Sequence, residues 1–158
     1  MNVKDLGLIH FIGIGGAGMS AIAWIARDQG AQVQGSDLKP SKYDAQLEEA
    51  GVPIIIGQGA ENITDDIDLV VVSTAIRDNN PELVEAKRRG IEVWHRSRML
   101  TAITEGYQTI AISGTHGKTT TSSLIGTALE RLDADPTFLI GGIVEDRGSN
   151  ARCGKGEY

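Results

Sequence analysis

The chain has 158 residues, a formal net charge of −6 and 41% hydrophobic residues, enough for one ordinary domain with a full core or for one domain and the start of another. The acidic balance speaks against nucleic acid as a partner, and no apolar run approaches the roughly 20 residues that span a bilayer. Cys153 is the single cysteine, which excludes an internal disulfide and fits a reducing compartment; Met1 leads through Lys4 and Asp5 into a strand pattern with no signal-peptide layout, so a soluble, cytoplasmic protein is expected.

Residues 8–14 predict a buried strand that runs into Gly13-Ile14-Gly15-Gly16-Ala17-Gly18. This is a GxGxxG fingerprint between a strand end and a helix start. Met19, Ile22, Ala23, Ile25 and Ala26 form the inward side of that helix, and Gly30 is its stop. In such a loop Gly13 makes the tight turn, Gly15 lets a pyrophosphate approach the backbone, and Gly18 lets helix and strand pack closely. Gly16, Ala17 and Met19 complete the candidate loop. A short strand over 33–36 ends at Ser36 and Asp37, about 20 residues after the glycines, where a carboxylate can bond a ribose hydroxyl. A helix cap or turn before Lys39-Pro40-Ser41 is the alternative for Asp37.

A helix over 41–50 is expected to end at Gly51, and a strand over 52–56 carries Pro53 at its start, which suggests strand entry or a sheet edge. Residues 57–66 read as loop with a weak turn of helix, and 68–73 as the clearest internal strand. Asn80 and Pro81 form a helix start, cap and first position, with Leu83, Val84 and Ala86 inward and Gly90 as stop. A strand over 91–94 leads into His95-Arg96-Ser97-Arg98 and a short helix carrying Met99, Leu100 and Ile103. This alternation predicts right-handed crossovers and a Rossmann-like parallel α/β sheet. Ligands of such sheets sit outside the carboxyl ends of the strands. The candidates there are residues 13–18, Ser36, Asp37, Ser73, Thr74, Ala75 and Arg96. Arg96 suits an anionic ligand; the hydroxyls of Ser73 and Thr74 equally suit a nearby backbone group. His95 reads as structural or exposed.

Residues 105–108 break the pattern, so a domain boundary is expected after Gly106, with 1–106 as one unit and 107–158 as the start of another. Ile110-Ala111-Ile112 then predicts a buried strand, followed by Ser113-Gly114-Thr115-His116-Gly117-Lys118-Thr119-Thr120 and a helical pattern on Leu124, Ile125, Ala128, Leu129 and Leu132. A glycine turn between strand and helix is a phosphate cradle, because free N–H groups and the macrodipole meet there. Lys118 would reach the β/γ-phosphates and the Thr119 hydroxyl would ligate Mg²⁺. Only Thr115 and His116 separate the two glycines, where the usual loop has four residues, so a generic NTPase is disfavoured. Residues 137–140 form a further strand ending at Gly141-Gly142, and 143–158 read as loop or disorder.

Two phosphate loops in one short chain suit an enzyme that binds a diphosphate-linked substrate and ATP better than a dehydrogenase. The runs IHFIGIGGAGMSAIA, QGSD, VVVSTAI with NNPE, RSRML, AISGTHGKTTT and DPTFLIGG, in that order, resemble the Mur ligase family over nearly the whole chain. The resemblance implies a UDP-substrate domain followed by the opening of a P-loop central domain, with ATP and Mg²⁺ as cofactors. The Ala17-Gly18-Met19-Ser20 run is similar to the branch that joins L-alanine to UDP-N-acetylmuramate through an acyl phosphate, in peptidoglycan synthesis; the murein-tripeptide-recycling branch is the alternative. On this resemblance Gly13, Gly15, Gly16, Ala17, Gly18, Met19, Ser36, Asp37, Ser73, Thr74, Ala75 and Arg96 bind the UDP sugar. Gly114, Thr115, His116, Gly117, Lys118, Thr119 and Thr120 bind ATP, with Lys118 catalytic. The chain is then expected to be an N-terminal piece that binds without catalysing, completed by C-terminal domains of the same enzyme. A nicotinamide-dependent oxidoreductase and a non-catalytic nucleotide-binding module are the rivals from other classes.

Overall fold

The computed structural model describes residues 2–144 and 149–158. Five parallel strands form the main sheet: β1 (Leu8–Ile12), β2 (Gln32–Asp37), β3 (Ile54–Ile56), β4 (Ile67–Val72) and β5 (Glu92–His95), in the spatial order β3-β2-β1-β4-β5. The chain winds outward from β1 to β3, then restarts on the other side at β4, so the switch point lies between β1 and β4. The helices are α1 (Ala17–Asp28), α2 (Asp44–Glu49), α3 (Pro81–Arg89), α4 (Arg96–Thr104) and α5 (Lys118–Arg131). The Rossmann-like parallel sheet is as expected, and the strand that Pro53 precedes is an edge.

Both sheet faces are covered, as a parallel sheet requires. On one face Ile9, Phe11, Val33, Leu69 and Val71 pack with Ile22, Ile25 and Ala26 of α1 and Met99 of α4. On the other, Ile12 and Val70 pack with Leu83 and Ala86 of α3 and with Ile63 and Ile67. Asn80 caps α3 as predicted, its Oδ1 accepting the Glu82 and Leu83 N–H groups at 3.0 and 3.1 Å, and Gly90 ends the helix in the left-handed conformation. Val84 departs from its expected inward position and is 50% exposed. One step along a helix turns a side chain about 100° from Leu83, and Ala86 lies closer to the Leu83 stripe.

Two further expectations are corrected. Residues 110–112 form no strand, and Ile110 is half exposed. A strand needs a neighbour for its backbone groups, and among the described residues none pairs with this segment. It lines instead an apolar groove of about 440 Å³ with Ile25, Ile103, Ile125, Leu129 and Phe138. In α5, Leu124 and Leu132 face outward, while Gly126 is the buried residue, against Phe138. The tail is not all loop: β6 (Phe138–Val144) continues through both glycines and pairs antiparallel with β7 (Ser149–Arg152), Leu139 opposite Ala151. Of the segment read as loop, 145–148 lie outside the described residues.

Candidate nucleotide-binding site

The loop after β1 turns on Gly13, whose φ of 79° suits glycine alone without strain. The N–H groups of Gly13 and Ile14 both donate to the Ser36 carbonyl, at 2.8 and 3.0 Å, tying the loop to the end of β2. Ile14 turns into the core against Gly35, where an added Cβ would lie 2.6 Å from the Phe11 carbonyl oxygen. α1 then begins at Ala17 with Gly16 as its cap, and its first turn presents N–H groups without helical acceptors.

Three side chains converge on this loop. Asp37 accepts the Gly15 N–H through Oδ2 at 2.9 Å and the Leu38 N–H through Oδ1 at 2.7 Å. A Cβ on Gly15 would lie 2.9 Å from Ser41 Cβ and 3.0 Å from Asp37 Oδ2, so crowding also demands glycine there. Arg96 opens α4 on the exposed surface, and its Nη1 stands 2.9 Å from where a Cβ on Gly18 would be. A guanidinium therefore lies at the positive end of α1, an arrangement for an anion. Beside the loop, Ile76 Cδ1 comes 3.2 Å from a Cβ built on Gly13, which sets the 73–76 turn at the same edge. There the Ser73 hydroxyl accepts the Ala75 N–H at 3.4 Å, and Thr74 and Ala75 are exposed.

Two candidates turn their side chains away from the surface. Met19 is packed in the core, and Ser36 is fully buried with its hydroxyl donating to Glu82 Oε2 at 2.6 Å. Any contact these two make to a ligand is through the backbone. His95 is a helix cap, its Nδ1 accepting the Ser97 N–H at 3.3 Å.

The second loop meets α5 at Gly117, which holds a φ of 80°. The first helical hydrogen bond runs from Thr121 N–H to the Gly117 carbonyl at 2.9 Å. The amides of Lys118, Thr119 and Thr120 thus have no helical acceptor, which suits a phosphate. Lys118 Nζ folds over the loop, donating to the Gly114 and Thr115 carbonyls at 2.6 and 3.3 Å. Gly114, Thr115, His116, Thr119 and Thr120 are all exposed. For a metal, this loop offers the Thr119 hydroxyl. Among the described residues no three His, Cys, Asp or Glu side chains gather.

Sequence reasoning missed Glu82 and Asn150. Glu82 is wholly buried beneath the glycine loop; in the sequence it reads as an ordinary acidic residue in a first helical turn. Asn150, on β7 and 1% exposed, donates Nδ2 to the Ala17 carbonyl at 2.6 Å, joining the hairpin to the first turn of α1. That contact spans 133 residues, and no local signal announces it.

A family model described as Mur ligase family, catalytic domain matches residues 8–108, the span of the five-stranded sheet, and stops short of Gly114. A UDP-N-acetylmuramate–L-alanine ligase of Carboxydothermus hydrogenoformans is 47% identical over 156 residues, covering 99% of this chain and 34% of its own length. Among solved structures, UDP-N-acetylmuramate-alanine ligase MurC of Thermotoga maritima superposes with a TM-score of 0.88 at 36% identity, over 96% of this chain and 36% of that one. A UDP-N-acetylmuramate:L-alanyl-γ-D-glutamyl-meso-diaminopimelate ligase from Neisseria gives 0.84 at 32% identity, over 93% of this chain and 46% of that one. The chain spans about a third of the length of the curated relatives it matches.

Proposed function

The chain belongs to the Mur ligase family, and from that premise we propose that its glycine loop binds the diphosphate of UDP-N-acetylmuramate, that residues 114–120 bind Mg·ATP, and that the ligase so formed adds L-alanine to the muramyl carboxylate. The observation that carries this reading is the convergence of Asp37 on Gly15 and of Arg96 on Gly18 at the carboxyl end of β1. A diphosphate would meet the free amides and the guanidinium, with Asp37 at the ribose. Ser73, Thr74 and Ala75 border the same edge.

In this reading residues 1–106 are the UDP-substrate domain and 107–158 open the ATP-binding domain. Lys118 is the catalytic cation: its ammonium, now on two loop carbonyls, would move onto the β/γ-phosphates. The Thr119 hydroxyl would help hold Mg²⁺, which when bound would supply positive charge beside the phosphates. The muramyl carboxylate oxygen attacks the γ-phosphorus and ADP leaves; the alanine amine then attacks the acyl carbon and phosphate leaves. Lys118 and the loop amides would neutralise the charge that builds on the transferred group. The amino-acid site and the remainder of the ATP site belong to other domains of such a ligase. No helix of the described residues is long and apolar enough to cross a membrane, and the reading places the reaction in the cytoplasm, where its nucleotide substrates are.

The recycling of a murein tripeptide is the second reading, favoured by the 0.84 superposition on the tripeptide ligase. Phosphate release by this chain joined to, or complemented with, the remaining ligase domains separates the two. Turnover that requires L-alanine and vanishes in Lys118→Ala supports the alanine ligase. Turnover with L-alanyl-γ-D-glutamyl-meso-diaminopimelate and none with L-alanine contradicts it.

A further inference from the structure

Beneath the glycine loop, on the α3 face of the sheet, lies a polar cluster that a phosphate site does not by itself require. His10, Ser36 and Glu82 are fully buried, and Asn62 is half-buried. Glu82 Oε2 accepts the Ser36 hydroxyl at 2.6 Å, and Oε1 accepts Asn62 Nδ2 at 2.6 Å. His10 Nε2 stands 3.7 Å from Oε2 with no hydrogen-bond partner, while Nδ1 is 3.3 Å from Gln34 Nε2. A carboxyl group removed from water is costly unless it is hydrogen-bonded. An apolar side chain of the same volume commonly serves stability as well or better. Stability alone therefore gives no reason for a carboxyl group here.

What the cluster holds is the nucleotide site, by two arms. One runs from Glu82 through Ser36, whose carbonyl accepts the N–H groups of both Gly13 and Ile14. The other runs through Asn62, whose Nδ2 also donates to the Gly57 carbonyl at 3.0 Å, and the Gly57 N–H donates to the Asp37 carbonyl at 2.8 Å. Glu82 itself is fixed by the Asn80 cap, which takes its N–H at 3.0 Å. A single buried carboxyl thus ties the diphosphate loop and the ribose-facing carboxylate to one rigid helix end.

We propose that Glu82 is a positioning residue for the nucleotide site, acting through Ser36 on the glycine loop and through Asn62 and Gly57 on Asp37. The proposal rests on the reading that the glycine loop binds a nucleotide diphosphate. It deepens that reading by assigning the preorganisation of the loop to a residue that never touches the ligand.

The test combines calorimetry with UDP-N-acetylmuramate and amide hydrogen exchange, on Glu82→Gln, Ser36→Ala and the exposed neighbour Val84→Ala. Glu82→Gln and Ser36→Ala should weaken binding about tenfold, as small misplacements of a preorganised site do. They should also speed exchange at Gly13, Ile14 and Gly57 while β4 amides keep their protection, and Val84→Ala should change neither. Wild-type affinity in both variants, unchanged exchange at the three amides, or equal acceleration throughout the sheet overturns the proposal. If the unmodified chain fails to bind the UDP sugar, the functional reading falls, and exchange at those three amides still decides whether Glu82 positions the loop.

Discussion

Gly15 sits at a tight corner of the glycine loop. A methyl group there meets Ser41 Cβ at 2.9 Å and Asp37 Oδ2 at 3.0 Å, and in the proposed reading both line the wall that the UDP sugar shares. Gly15→Ala should therefore push the Asp37 side chain off the loop and weaken UDP-sugar binding at least about tenfold, read by calorimetry, with secondary structure intact by circular dichroism. Affinity equal to that of the unmodified chain would mean that the ligand does not use this corner. Gly18 is a contrasting case, since the atom it would meet is the end of the flexible Arg96 side chain. At Cys153, burial first and the neighbouring Asp28 next push the thiol up to about 11, against an ordinary 9.0. A folded-state value raised in this way favours the neutral thiol, so its contribution to stability is complete below pH 9 and is lost as pH rises through about 11. At pH 8 iodoacetamide should alkylate Cys153 more slowly than a cysteine in an unstructured peptide; equal rates would contradict the burial.

At the scale of elements, α3 shows what local sequence can and cannot reveal. Its start was legible because Asn80 and Pro81 are a cap and a first-turn residue by their own chemistry, and its end because Gly90 takes a left-handed conformation. Asn80→Ala should cost about 1 kcal/mol in urea unfolding, and it also removes the 2.7 Å bond from Asn80 Nδ2 to Gln58 Oε1. No change in the midpoint would show that the cap is idle. The inward face of α3 was less legible: Val84 is exposed and Glu82 buried, because the partners that bury a carboxyl, Ser36 and Asn62, lie 46 and 20 residues away. The same reason explains residues 110–112 and the β6–β7 hairpin. A strand is defined by its neighbour, and an apolar triplet or a glycine pair says nothing about whether a neighbour is present.

For the molecule as a whole, the parallel order of the sheet followed from alternation of strand and helix patterns, and the strand ends located Asp37 and Arg96 beside the glycine loop. Both facts are local or periodic. Less legible were the contacts that bind the parts together: Glu82 under the loop, and Asn150 of β7 on the Ala17 carbonyl. The latter joins the hairpin that follows the second glycine loop to the helix that follows the first. In the proposed reading the first glycine loop serves a UDP sugar and not a dinucleotide. Calorimetry of this chain, titrated separately with UDP-N-acetylmuramate and with NADH, distinguishes the two. The UDP sugar should bind, more weakly after substitution of Gly15 or Asp37, and NADH should give no heat. Binding of NADH with no response to the UDP sugar would contradict that reading and return the glycine loop to a redox role.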